Sequence, residues 1–157
     1  MRFGASGKDV ALPTQRCESC GTRTDSVAVL VDTNVICDVL YNDPVWGDWS
    51  SAQLLNHWGQ LCINPIVYTE LCYQATSPDD VNDTMERMGL VYADLPMGCL
   101  FAAGQAYRSY RQRGGVKTAP LPDFFIGAHA QEAGLMLLTR DTARYETYFP
   151  RARLITP

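Results

Sequence analysis

Four carboxylates stand where a chain of alternating strands and helices would gather its ends: Asp32, Glu70, Asp123 and Asp141. Asp32 closes the apolar run Val27-Ala28-Val29-Leu30-Val31, and Asp141 follows Leu135-Met136-Leu137-Leu138-Thr139-Arg140. Asp123 opens a helix-like stretch after Leu121-Pro122, and Glu70 lies inside Pro65-Ile66-Val67-Tyr68-Thr69-Glu70-Leu71. Parallel α/β sheets bind ligands outside the carboxyl ends of their strands, so acids leaving two strands there can meet. Like charges brought together are costly unless protons or cations offset them. An all-oxygen set without His matches a hard divalent cation, Mg²⁺ or Mn²⁺. Each acid alone has a plainer reading: Asp123 as a helix cap, Asp141 as a turn acid, Glu70 on a solvated face. Two strand-end acids and two helix acids together weigh against that.

The elements that must position these acids follow from the hydrophobic pattern. Val27–Val31 is a β-branched run suited to a strand buried on both faces. Thr33–Leu40 predicts a short helix, ended near Tyr41-Asn42-Asp43-Pro44, and 48–59 predicts an amphipathic one with Trp49, Ala52, Leu55 and Trp58 at helical spacing. Leu61–Ile63 reads as a second strand, and Pro65 fits the first position of the next helix. Ser77-Pro78-Asp79-Asp80 is a helix start with a capping Ser and acids complementing the dipole. Leu90–Tyr92 is a candidate strand, and Met97–Arg113 a helix stopped by Gly114-Gly115. Asp123–Ala133 is a helix ended by Gly134, Leu135–Thr139 a strand, Thr142–Tyr148 a helix and Arg153–Thr156 an edge strand. Alternation of this kind implies a parallel sheet sandwiched by helices.

At 157 residues, 46% hydrophobic and 19% charged, the chain fits one globular domain that buries roughly 70% of its unfolded surface. No apolar stretch approaches the ~20 residues of a membrane span, and the N-terminus has no signal-peptide core; a cytoplasmic protein with no membrane partner is expected. Residues 1–26 lack hydrophobic periodicity and read as a disordered extension before a domain at 27–157. Cys37, Cys62, Cys72 and Cys99 fall in apolar stretches and read as reduced core residues. Cys17 and Cys20 form a lone C-x-x-C without the further ligands that a zinc site needs. The net charge of −4 hides an asymmetry. Val27 to Tyr107 carries ten acids and one base, whereas Arg108 onward carries eight bases and four acids. A basic half beside an acidic cluster suits a polyanion bound at a metal site.

The wording around the acids is more specific than their spacing. Val31-Asp32-Thr33-Asn34, Tyr68-Thr69-Glu70-Leu71, Leu121-Pro122-Asp123-Phe124-Phe125-Ile126-Gly127-Ala128-His129-Ala130 and Leu138-Thr139-Arg140-Asp141 resemble the PIN-domain family, in particular VapC-type toxins of toxin–antitoxin pairs. Tyr145-Glu146-Thr147-Tyr148-Phe149-Pro150 is similar to that family's closing segment. The resemblance implies a three-layer α/β/α sandwich around a mostly parallel sheet. It also implies a metal-dependent endoribonuclease that cuts RNA phosphodiester bonds. Asp32, Asp123 and Asp141 would hold Mg²⁺ or Mn²⁺, and Glu70 would complete the set or orient the attacking water. A VapB-type antitoxin and a second copy of the chain are the implied partners. The early helices, with Trp46, Trp49 and Trp58, would form the partner groove, although core packing is the plainer use of any one Trp.

Around the acids, Asn34, Thr139 and Thr33 are polar neighbours suited to orienting carboxylates or water. Arg140 and Arg144 flank the site and are candidates for RNA contact. Arg108 and Arg111, with Arg113, either grip phosphates or complement their helix's C-terminal dipole. A catalytically silent PIN-like module that binds protein or RNA is the alternative function, and the intact set of four acids argues against it. A phosphatase or phosphotransferase of the haloacid dehalogenase type is a poor reading, because its D-x-D motif is absent: Asn34 stands two residues after Asp32.

Overall fold

Short strands alternate with helices along the chain, and the central strands are the buried ones, as the hydrophobic pattern requires. The computed structural model describes residues 28–157. The strands are β1 (Val29–Val31), β2 (Leu61–Ile63), β3 (Val91–Tyr92), β4 (Met136–Leu138) and β5 (Arg153–Ile155). The helices are α1 (Thr33–Leu40), α2 (Gly47–Asn56), α3 (Pro65–Cys72), α4 (Pro78–Met88), α5 (Met97–Gln112), α6 (Pro122–Ala133) and α7 (Ala143–Tyr148).

The strands form one sheet in the order β3-β2-β1-β4-β5, and every pairing is parallel. β1 is central: Val29 pairs with both Leu61 and Met136, and Val31 with Leu138. Val29, Leu30 and Val31 are fully buried, so both faces of β1 are covered, as expected of a parallel sheet. From β1 the chain moves outward to β2 and β3, then returns to the other side of β1 for β4 and β5. The order therefore reverses between β1 and β4, and a crevice opens there at the carboxyl ends of the two strands. Asp32 leaves β1 at this point, its backbone N–H donating to the Leu138 carbonyl at 2.9 Å. Thr139-Arg140-Asp141 leaves β4 beside it.

Local chemistry explains the helix ends. Asn64 caps α3 through Oδ1, which accepts from the N–H groups of Ile66 and Val67 at 3.0 and 3.1 Å. Ser77 and Asp80 form a complete capping box on α4. Gly134 terminates α6 at φ 68°, the left-handed geometry that glycine adopts without a Cβ penalty. α6 is the most deeply placed helix, with Phe124, Ile126, Gly127, Ala128, His129 and Ala130 all buried. It packs on α3, α5 and α7, and Phe149 lies so close over Gly127 that no Cβ fits there.

Element boundaries differ from the sequence reading by a residue or a turn, most at α2, which ends at Asn56. The expected apolar stripe of that helix is not its inner face: Leu54 is buried, whereas Leu55 is 70% and Trp58 55% exposed. Trp58 instead lies flat beside Gly89. Three of the four cysteines expected in the core are buried or half-buried and all four are free, but Cys72 is exposed, at the C-terminal turn of α3. Cys17, Cys20 and the extension 1–26 lie outside the described residues. No helix among the described residues is long and apolar enough to cross a membrane.

Candidate metal centre at the sheet crevice

Asp32 occupies the N-cap position of α1, yet its carboxylate makes no capping bond. It turns across the crevice, where Oδ2 accepts from Thr139 Oγ1 at 2.7 Å, Asn34 Nδ2 at 2.8 Å and the Tyr145 hydroxyl at 3.0 Å. The side chain is 5% exposed. Burial raises its pKa above the ordinary carboxylate value, and the hydrogen bonds from Thr139 and Tyr145 oppose that rise without cancelling it. A desolvated carboxylate of this kind is short of positive charge.

Thr139 and Asn34 bind the two strand ends together. Asn34 Nδ2 reaches Thr139 Oγ1 at 3.2 Å, and the Asp141 N–H donates to that same hydroxyl oxygen at 3.1 Å. Thr33 serves a second acid: its hydroxyl donates to Glu70 Oε2 at 2.5 Å, linking α1 to α3. Asp123 sits in the first turn of α6, with Leu121 at the N-cap position, so its carboxylate is free of a capping role. It pairs with Arg144 of α7. Asp141 is exposed at the mouth of the crevice. Burial first, then the charge and hydrogen bond of Asp32 and the charges of Asp141 and Glu70, push the Tyr145 hydroxyl far above the usual tyrosine range.

The PIN-domain family model matches residues 29–150. The chain belongs to the PIN-domain family. Its fold is similar to chains in the DNA-bound VapBC complex of Salmonella typhimurium (TM-score 0.63, 20% identity, 83% of this chain and 98% of that one). It is similar as well to the promoter-bound VapBC2 complex of Rickettsia felis (0.62, 19%, 82% and 98%) and to FitAcB of Neisseria gonorrhoeae (0.57, 23%, 82% and 97%). No curated protein sequence matches the chain.

In this PIN domain the donor chemistry fits a hard divalent cation, since the four acids offer carboxylate oxygens alone. Their gathering is incomplete. Among the described residues no three acidic, His or Cys side chains converge as a ready-made ligand group. Asp123 is instead engaged by Arg144. The crevice thus supplies a buried, oriented acid in Asp32, with Glu70 held by Thr33, Asp123 paired with Arg144 and Asp141 exposed.

The arginines divide by occupation. Arg140 pairs with Asp38 at 3.0 Å, and its Nε is buried without a partner. Arg111 Nη1 donates to the Lys117 carbonyl at 2.6 Å, pinning the loop after α5. Arg108 is exposed and makes no hydrogen bond or ion pair among the described residues.

Two parts of the site escaped the sequence reading. Tyr145, part of the closing segment, gives no sequence signal of a polar role, because an aromatic in a closing helix reads as packing. Asp38 carries one: an acid within Val35-Ile36-Cys37-Asp38-Val39-Leu40 must find a buried partner. It is 2% exposed and accepts from Ser50 Oγ of α2 at 2.8 Å as well as meeting Arg140. His129, six residues past Asp123, is buried against Asn64 at 3.4 Å, and burial lowers its pKa. It belongs to the core.

Proposed function

We propose that this PIN domain is a Mg²⁺- or Mn²⁺-dependent endoribonuclease, the toxin of a VapBC-type toxin–antitoxin pair, acting on RNA in the cytoplasm. The observation that carries the reading is the buried Asp32 carboxylate, held by three donors at the β1/β4 switch point. Asp32, Asp123 and Asp141 hold the ion directly or through water, and Glu70 completes the set or orients the attacking water. When bound, the ion polarises the phosphoryl oxygens and lowers the pKa of bound water, so no nucleophilic side chain is needed. Thr33 fixes Glu70, while Asn34 and Thr139 fix Asp32. Arg144, on leaving Asp123, and Arg108 meet RNA phosphates; Arg140 and Arg111, held by Asp38 and the Lys117 carbonyl, add positive potential.

The neighbouring complexes support a VapB-type antitoxin partner. A groove of about 220 Å³, lined by Leu40, Tyr41, Leu71, Ala75 and Val81 and by the polar Gln74, Asp80 and Thr84, reaches Glu70 and is suited to an amphipathic antitoxin segment. The exposed Leu55 and Trp58 and the exposed Met97 and Phe101 of α5 are apolar surface suited to protein contacts, including a homodimer.

The test is incubation of total RNA with the purified chain, with Mn²⁺ or EDTA, beside Asp32→Asn. Cleavage with Mn²⁺ alone, lost in the variant, is expected; equal cleavage by the variant would sink the mechanism. The Arg144–Asp123 pair favours one second reading, a silent module that binds RNA without cutting it. Metal-independent RNA binding with no cleavage by the wild type would establish that reading instead.

A further inference from the structure

We infer that Tyr145 is a positioning residue whose buried hydroxyl, with Thr139 and Asn34, holds the Asp32 carboxylate in one orientation for a divalent cation. This rests on the metal-nuclease reading above. The three donors come from three separate parts of the chain: Asn34 from α1, Thr139 from the end of β4 and Tyr145 from α7. All three converge on Oδ2, and none of them touches Oδ1. One carboxylate oxygen thus takes all three side-chain donors, and Oδ1, which takes none of them, is the oxygen assigned to the cation.

Packing alone does not call for this hydroxyl. Tyr145 is 1% exposed, so a phenylalanine ring would fill the same space without placing a phenol among acids. The buried phenol donates its O–H to Asp32 at 3.0 Å. The same burial denies it contact with RNA. Partners that orient a metal ligand typically account for about 10–100-fold in metal affinity or activity, and α7 therefore contributes to the site through Asp32.

The experiment compares wild type, Tyr145→Phe, Tyr148→Phe and Asp32→Asn by calorimetric titration of the metal-free chain with Mn²⁺, beside RNA cleavage kinetics. Tyr148 is an internal control on the same helix: its ring packs edge-on against Phe124, and its hydroxyl makes no hydrogen bond among the described residues. Tyr145→Phe should bind Mn²⁺ about 10-fold more weakly, lower kcat with KM for RNA unchanged, and recover rate as Mn²⁺ is raised. Tyr148→Phe should match wild type. Undiminished Mn²⁺ affinity in a folded Tyr145→Phe would overturn the inference, as would equal weakening by Tyr148→Phe. Loss of cooperative melting in Tyr145→Phe would assign the hydroxyl a structural role and also overturn it. If wild type takes up no Mn²⁺, or Asp32→Asn binds it equally well, the nuclease reading itself fails. Those arms separate the two failures.

Discussion

Asp32 shows how a single side chain trades stability for chemistry. An acid whose folded pKa is raised loses stability as pH climbs from its unfolded value through its folded one, and the whole penalty stands above that window. In EDTA, Asp32→Asn should therefore melt higher than wild type, with the gap opening as pH rises from about 4 and then levelling. Thermal melts of both proteins across pH check this, and an Asn variant less stable at every pH would contradict it. The same substitution should lower Mn²⁺-dependent cleavage by about 100-fold or more, given the affinity that ligand and orienting residues confer. Thr33 reaches Glu70 and Thr139 reaches Asp32 through their hydroxyls. Thr139→Val should thus cut activity more than Thr33→Val, because Thr139 also receives the Asp141 N–H and serves the more buried acid.

At the scale of elements, the β4–α7 loop is anchored from a distance. Arg140 holds it to Asp38 of α1, and Ser50 ties Asp38 to α2, so one buried carboxylate joins three segments around the crevice. Asp38→Ala leaves that guanidinium, whose Nε already lacks a partner, beside the core. A cost of about 2–4 kcal/mol is expected, at the low side for a broken buried pair because Arg140 remains partly solvated. Denaturant titration reads the loss directly. The start of α4 offers a milder case. Hydrogen bonds from Thr76 and Ser77 hold the Asp80 carboxyl below its ordinary value. Its contribution is present above the unfolded pKa and fades as pH falls through the folded one. Ser77→Ala should cost about 1 kcal/mol, and Asp80→Asn should erase part of the wild type's acid sensitivity in the melts.

For the whole molecule, the acidic first half and basic second half meet at the sheet: β1 supplies Asp32, and the segment from β4 into α7 brings Arg140 to Asp38 and Arg144 to Asp123. RNA affinity should fall with salt, and Arg108→Ala and Arg144→Ala should each reduce the logarithmic salt slope by about 1. Filter binding at several salt concentrations, in EDTA to prevent cleavage, measures both. A slope unchanged by Arg144→Ala would leave that residue as the ion-pair partner of Asp123 alone.

Most of the architecture was legible before any coordinates, because it rests on local patterns. Runs such as Val29-Leu30-Val31 are rich in β-branched residues and suited to a strand inside a sheet, and Ser77, Pro78 and Gly134 mark helix ends by their own backbone chemistry. The sequence by itself therefore determined a parallel α/β chain and four acids near its strand and helix ends. Strand order is another matter, since it depends on which buried surfaces fit each other. Only the tertiary structure decided that β4 lies beside β1, which makes Thr139 a partner of Asp32 across 107 residues of chain. It also decided that Tyr145 turns its hydroxyl to Asp32 and that Arg140 and Arg144 are engaged by acids. Those pairings are set by packing between distant segments, where no spacing along the chain records which polar groups will meet.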